Sequence, residues 1–254
     1  MNYLAHLYLA GDDDDLAAGA LLGDFVKGWL ERQPLPSGVI AGIRLHRAID
    51  SFTDQHPVVR RSCARLRHRR LVAGVIVDLA YDHFLAVRWP QFASEPLPAF
   101  CARSYRRLLA RRHAFPPRLQ AMLPHMVRDD WLGSYARLEN VALALERIGR
   151  RLSRPGLLAD VLADLERHYH GLEQDFLEFF PEVVAHFAPR GKGEQGAIAA
   201  SASAVGMPAA QSGCRRTAGS RYSSSSRNSS KAASSSSGST AAPLASASQS
   251  RPTA

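Results

Sequence analysis

Apolar residues recur at three- and four-residue intervals along most of the first 179 positions, the spacing of one face of a helix. Pro and Gly punctuate that pattern. A stretch opened by Pro36-Ser37 carries Ile40, Ile43, Leu45 and Ile49, with Pro suited to a first helical turn. Pro57 opens the next, Val58 to Leu66, and the most apolar run, Leu71 to Trp89, ends before Pro90. Further helices are predicted over 97–111, 117–128, 133–152 and 156–179, with Arg154-Pro155-Gly156 as a break. No segment alternates apolar and polar residues as a half-buried strand does. The expected fold is all-α.

Composition divides the chain. Up to about Pro189 it mixes apolar and charged residues in core-forming proportions; from about Gly191 it turns to Ser, Ala and Gly, with Ser223-Ser224-Ser225-Ser226 and Ser234-Ser235-Ser236-Ser237 as examples. Such segments bury too little apolar surface to offset the entropy of ordering them. One domain, residues 1–189, followed by a disordered tail, 190–254, is the expected organisation.

Charge follows the same division. The formal net charge is +9, of which the tail supplies +7, leaving the domain at +2. Inside the domain, residues 60–128 hold 14 Arg against Asp78, Asp82 and Glu95, while the flanks 1–59 and 129–189 stand at −4 and −5. Two readings of the basic stretch stand side by side: a face that steers an acidic partner, or a solvated helix surface. No aromatic residue interrupts Arg65-Leu66-Arg67-His68-Arg69-Arg70 to stack bases, which argues against nucleic acid. Cys63, Cys101 and Cys214 show neither paired nor zinc-ligand spacing. With no long uncharged apolar run and no basic-then-apolar leader, a cytoplasmic protein that does not enter a membrane is expected.

Several acids and histidines remain to be explained. Asp12-Asp13-Asp14-Asp15 stands where a helix begins, where acids cap free amides and favour the dipole. Asp78 and Asp82 are four apart on the apolar helix, hence on one face, and no Lys or Arg lies between Leu71 and Val87. Burying both requires a compensating cation, either an Arg from elsewhere or a metal ion. His46 and Asp50 repeat the i, i+4 spacing on another helix, and Asp54 and His56 follow. Gly23-Asp24-Phe25 adds an acid before Lys27-Gly28. Imidazoles and carboxylates from three segments fit one divalent ion better than three separate structural roles do. His6 is read either as a packed core histidine or as part of this site. Nucleotide-binding glycine loops and a serine nucleophile elbow are absent.

Four motifs together resemble the acyl-carrier-protein phosphodiesterase family: Met1-Asn2-Tyr3-Leu4-Ala5-His6-Leu7, Gly23-Asp24-Phe25-Val26-Lys27-Gly28, the run from Gly42 to Asp54, and Asp78-Leu79-Ala80-Tyr81-Asp82-His83-Phe84-Leu85-Ala86. Looser matches follow at Ser104-Tyr105-Arg106, Asp130-Trp131-Leu132 and Phe179-Phe180-Pro181. The resemblance implies an HD-like helical bundle, a divalent metal (Mn²⁺ or Mg²⁺), and hydrolysis of the phosphodiester that joins 4′-phosphopantetheine to a serine of holo acyl carrier protein. The ordinary His-Asp dipeptide of the wider HD group is missing, and Asp82-His83 stands in reverse order.

On this reading Asp24, His46, Asp50, Asp78 and Asp82 are the candidate metal ligands. Asp24 and His83 are the candidate catalytic groups, and Arg47 is the candidate phosphate clamp. The basic stretch would then meet an acidic carrier protein. Two other functions are compatible with the residues: a metal phosphohydrolase of nucleotides or other small phosphoesters, and a non-catalytic helical module that binds an acidic protein.

Overall fold

The computed structural model describes residues 1–154 and 156–187, and the expected tail lies outside the described residues. Ten α-helices and short 3-10 turns make up the described part, with no strand among them. In chain order the helices are α1 (Tyr3–Ala10), α2 (Asp14–Leu22), α3 (Ser37–Gln55), α4 (Pro57–Arg65), α5 (Ala73–Val87), α6 (Leu97–Ala110), α7 (Pro117–Arg128), α8 (Trp131–Ser134), α9 (Leu138–Gly149) and α10 (Val161–Phe187).

The apolar run forms the centre of the bundle. Every residue of α5 from Ala73 to Ala86 is buried, as expected for a helix that is hydrophobic all round. Helices α1, α4, α9 and α10 pack around it, and α2 and α3 join through α1. Leu71, the first residue of the apolar run, lies before the helix start and is exposed.

Helices α2 and α3 cross in close contact. A Cβ on Gly19 would collide with the Val39 carbonyl and the Gly42 backbone, and one on Gly42 would collide with the Leu16 carbonyl. Two glycines therefore let the helix backbones touch. That contact fixes where His46 of α3 meets the end of α2.

Local chemistry explains most boundaries. Asp13 caps α2, its side chain accepting from the amides of Asp15 and Leu16, in line with the capping role expected of the acidic run. His56 caps α4 in the same way through Val58 N, with Pro57 in the first turn. Two expectations need correction. The span 133–152 divides into α8 and α9, because the Tyr135 carbonyl accepts a hydrogen bond from His83 and Arg137 is extended. The last helix starts later than 156, since Gly156 and Asp160 both have positive φ. It then continues through Pro181 to Phe187, where Phe179, Phe180 and Val183 keep the helix against the core despite the lost backbone bond.

The charge segregation has a tertiary explanation. Eight of the 14 arginines between 60 and 128 pair with acids from the two flanks or their own neighbourhood: Arg61, Arg65, Arg69, Arg88, Arg103, Arg107, Arg111 and Arg128. Asp175 of α10, 1 % exposed, accepts from Arg61, Arg65 and Ser62, and Tyr81 of α5 is hydrogen-bonded to the same Ser62. Much of the basic stretch therefore ties α4 and α5 to α10 and α6 to the start of α2. At these eight positions the charge is already paired within the fold, while Arg60, Arg67, Arg70, Arg106, Arg112 and Arg118 are exposed.

Candidate metal centre

Three side chains that offer metal ligands converge within 4.8 Å of one another: His6 of α1 with His46 and Asp50 of α3. Asp50 stands between the two imidazoles, with Oδ1 3.2 Å from His6 Nε2 and Oδ2 3.4 Å from His46 Nε2. The rings stack at 4.0 Å between centroids. Asp24, on the turn after α2, brings Oδ1 to 3.8 Å from His46 Nε2. The histidines form the buried floor, at 1 % and 5 % side-chain exposure, and Asp24 and Asp50 form the rim, at 14 % and 22 %.

The protein selects which nitrogen of His46 faces the cluster. His46 Nδ1 lies 2.8 Å from the Ala20 carbonyl, and a carbonyl can only accept, so Nδ1 carries the proton. Nε2 is then left with its lone pair toward Asp50 and Asp24. Gly23 is essential to this arrangement, because a Cβ there would overlap the His46 imidazole ring. For His6, burial and the neighbouring His46 push the imidazole down to about 4, against the pull of Asp50. A neutral His6 at neutral pH is a ligand in its binding form. A donor set of two imidazoles with one or two carboxylates fits a divalent metal ion.

The other predicted residues fall outside this group. Asp82 accepts the backbone amides of Leu4 at 2.8 Å and of Asn2 and Ala5 at 3.3 Å. It caps the first turn of α1 from a different helix, where Asn2 supplies no side-chain cap. Burial pushes its carboxyl up, against the pull of those amides. Asp78 Oδ1 lies 2.9 Å from the Met1 amino group, which is also 3.6 Å from Asp50. Among the described groups, the backbone amides of the α1 segment face Asp82 and the Met1 amino group faces Asp78.

His83 also points elsewhere. Its Nδ1 is 2.8 Å from the Tyr135 carbonyl and its Nε2 is 3.1 Å from the Tyr169 hydroxyl, so neither nitrogen is left for the cluster. Burial lowers its pKa. Arg47, expected to clamp phosphate, spends its guanidinium on two carbonyls, Val26 at 3.0 Å and Gly28 at 3.3 Å. It fastens to α3 the turn that carries Asp24. His6 was the residue that spacing left open, since a single histidine in a short apolar helix carries no periodic signal.

Comparison with known proteins gives the family. The family model for acyl carrier protein phosphodiesterase matches residues 1–183. An acyl carrier protein phosphodiesterase of Serratia proteamaculans is 39 % identical over 187 residues, covering 72 % of this chain and 96 % of the relative. One from Salmonella paratyphi A is 35 % identical over 190 residues, covering 74 % of this chain and 98 % of the relative. No solved structure matches the chain. No described helix is long and apolar enough to cross a membrane. The chain belongs to the acyl carrier protein phosphodiesterase family.

Proposed function

We propose that this chain hydrolyses the phosphodiester between 4′-phosphopantetheine and a serine of holo acyl carrier protein, releasing apo carrier protein. The observation that carries the reading is the meeting, in a member of this family, of His6, His46 and Asp50 beside Asp24. His6, His46 and Asp50 would hold a divalent ion, with Asp24 completing the set; when bound, the ion would supply Lewis acidity toward a water and a phosphoryl oxygen. Two imidazoles suit manganese better than magnesium, which prefers an all-oxygen shell.

The remaining work belongs to the chain's own groups. The Ala20 carbonyl holds His46 in the tautomer that presents Nε2. The buried imidazole floor excludes water from behind the site, so substrate enters over the carboxylate rim. Asp24, on the rim, takes a proton from the attacking water and passes it to solvent, and the serine oxygen takes a proton from solvent water as the phosphorus–oxygen bond breaks. Water thus contributes hydroxyl to phosphorus and a proton to the serine. Asp82 and Asp78 keep the α1 segment, and with it His6, against α3 and α5. The protein acts where its acidic partner and phosphopantetheine are found, in the cytoplasm.

The test is to incubate the full chain with holo acyl carrier protein and manganese and to weigh the carrier intact. Loss of the whole phosphopantetheine arm, abolished by Asp24→Ala and by chelation, is the expected result. An unchanged carrier mass alongside turnover of a small phosphodiester would sink the reading in favour of a small-ester hydrolase.

A further inference from the structure

We infer that Trp29 is the anchor on which the carrier protein seats, an inference that rests on the phosphodiesterase reading above. Among the described residues it is the most exposed large hydrophobic side chain, at 73 %, where Leu71, Val87, Leu109 and Leu143 reach 40–49 %. A lone exposed apolar side chain is ordinary by itself; what singles out this indole is its place, on the turn that carries Asp24 and between exposed cations, since Trp is enriched among the anchors of protein interfaces.

Its position is fixed on both sides. Arg47, the neighbour of His46 on α3, holds the carbonyls of Val26 and Gly28, and Gly28 takes a positive φ of 81° directly before Trp29. Leu30, on the other side, is buried at 4 %. The indole therefore stands on an anchored turn, and the same turn carries Asp24 to the cluster. A side chain held this way loses little conformational freedom when a partner covers it.

The substrate's chemistry explains why a partner must reach it. In a serine-linked phosphodiester only Oγ and Cβ separate phosphorus from the carrier's backbone. Placing that phosphorus at the rim of Asp24 and Asp50 presses the carrier's own surface onto the surrounding turn. The turn offers Trp29 with exposed Lys27 and Arg32, the Arg32 guanidinium lying 6.0 Å from the indole centroid. The local acid, Glu31, is engaged by Arg44 at 2.9 Å. An aromatic anchor flanked by cations fits an acidic protein surface.

The experiment compares the full chain with Trp29→Ala and Trp29→Phe on holo carrier protein, and follows tryptophan emission as apo carrier protein is added. Trp89 is buried and Trp131 part-buried, so the difference between the unmodified chain and Trp29→Ala isolates the emission of Trp29. Trp29→Ala is expected to raise KM about tenfold with kcat within about twofold. Trp29→Phe should recover part of the loss, and the blue shift seen with the unmodified chain should vanish in Trp29→Ala. An unmoved KM, with cleavage by the unmodified chain intact, overturns the docking role alone. So does a change confined to self-association of the variant. No cleavage by the unmodified chain removes the phosphodiesterase reading itself.

Discussion

The carboxylate of Asp82 accepts the amide of Leu4 at 2.8 Å and so caps, from the middle of α5, a helix that begins some eighty residues earlier in the chain. One buried acid satisfies three amides at the positive end of α1. The same contact sets where His6, two residues past Leu4, meets α3. Asp82→Ala is expected to cost about 3 kcal/mol of stability, from orphaned buried amides and the lost cap. Asp82→Asn keeps one acceptor oxygen and should cost less. Denaturant unfolding of both variants checks the order, and equal losses would mean that the amide contacts carry no weight.

A metal ion that binds only the folded chain stabilises it by mass action, by about 2.7 kcal/mol when free metal is a hundred times the dissociation constant. Thermal unfolding with and without manganese should show a rise in Tm that EDTA reverses. His6→Ala, His46→Ala and Asp50→Ala should each remove that rise, whereas Asp78→Asn and His83→Gln, outside the cluster, should retain most of it. A retained rise in the His6 variant would exclude it from the ligand set.

Gly23 offers a narrower test of how the ligands are oriented. Alanine there would force the His46 ring from its place and loosen the hydrogen bond to the Ala20 carbonyl. Losing the group that orients a ligand histidine typically weakens metal affinity by about 10–100-fold. Manganese titration of Gly23→Ala should show a loss in that range, with far-UV circular dichroism unchanged.

Much of this was legible in the sequence, and the gaps have identifiable causes. The i, i+4 pair His46 and Asp50 lies on one helix, so spacing alone put both on one face. Asp24 stands in a glycine-bounded turn with nothing else to explain it. The Asp78 and Asp82 spacing correctly indicated one buried face, but what neutralises a buried acid is a tertiary matter. Backbone amides leave no mark in composition, so an N-terminal helix end could not be read as their partner. Part of the Arg-rich stretch was hidden for the same reason: Arg61 and Arg65 look unpaired until α10 brings Asp175 against them. The structural part of Arg47's role was invisible because its carbonyl partners, Val26 and Gly28, are anonymous in sequence.

The Asp175 network makes the last prediction, on pH. Burial pushes this carboxyl up, but hydrogen bonds from Arg65, Ser62 and Arg61 outweigh it and hold the pKa below the ordinary value. In the unfolded chain the group titrates near 3.9, so between that value and the lower folded one the unfolded state binds the proton more readily. Stability from this group is therefore fully present above about pH 5 and declines as the pH falls below about 4. Asp175→Asn removes the charge and leaves two guanidinium groups facing an amide, so it should lower stability at neutral pH by about 2 kcal/mol. It should also flatten the acid limb of the stability profile. Both arginines are partly exposed, so water recovers part of the lost interaction and keeps the cost below that of a fully buried pair. Urea unfolding from pH 3 to pH 7 measures both effects. An acid limb unchanged in the variant would assign the acid sensitivity to other carboxylates, with Asp164, held by His68 and Arg69, the next to substitute.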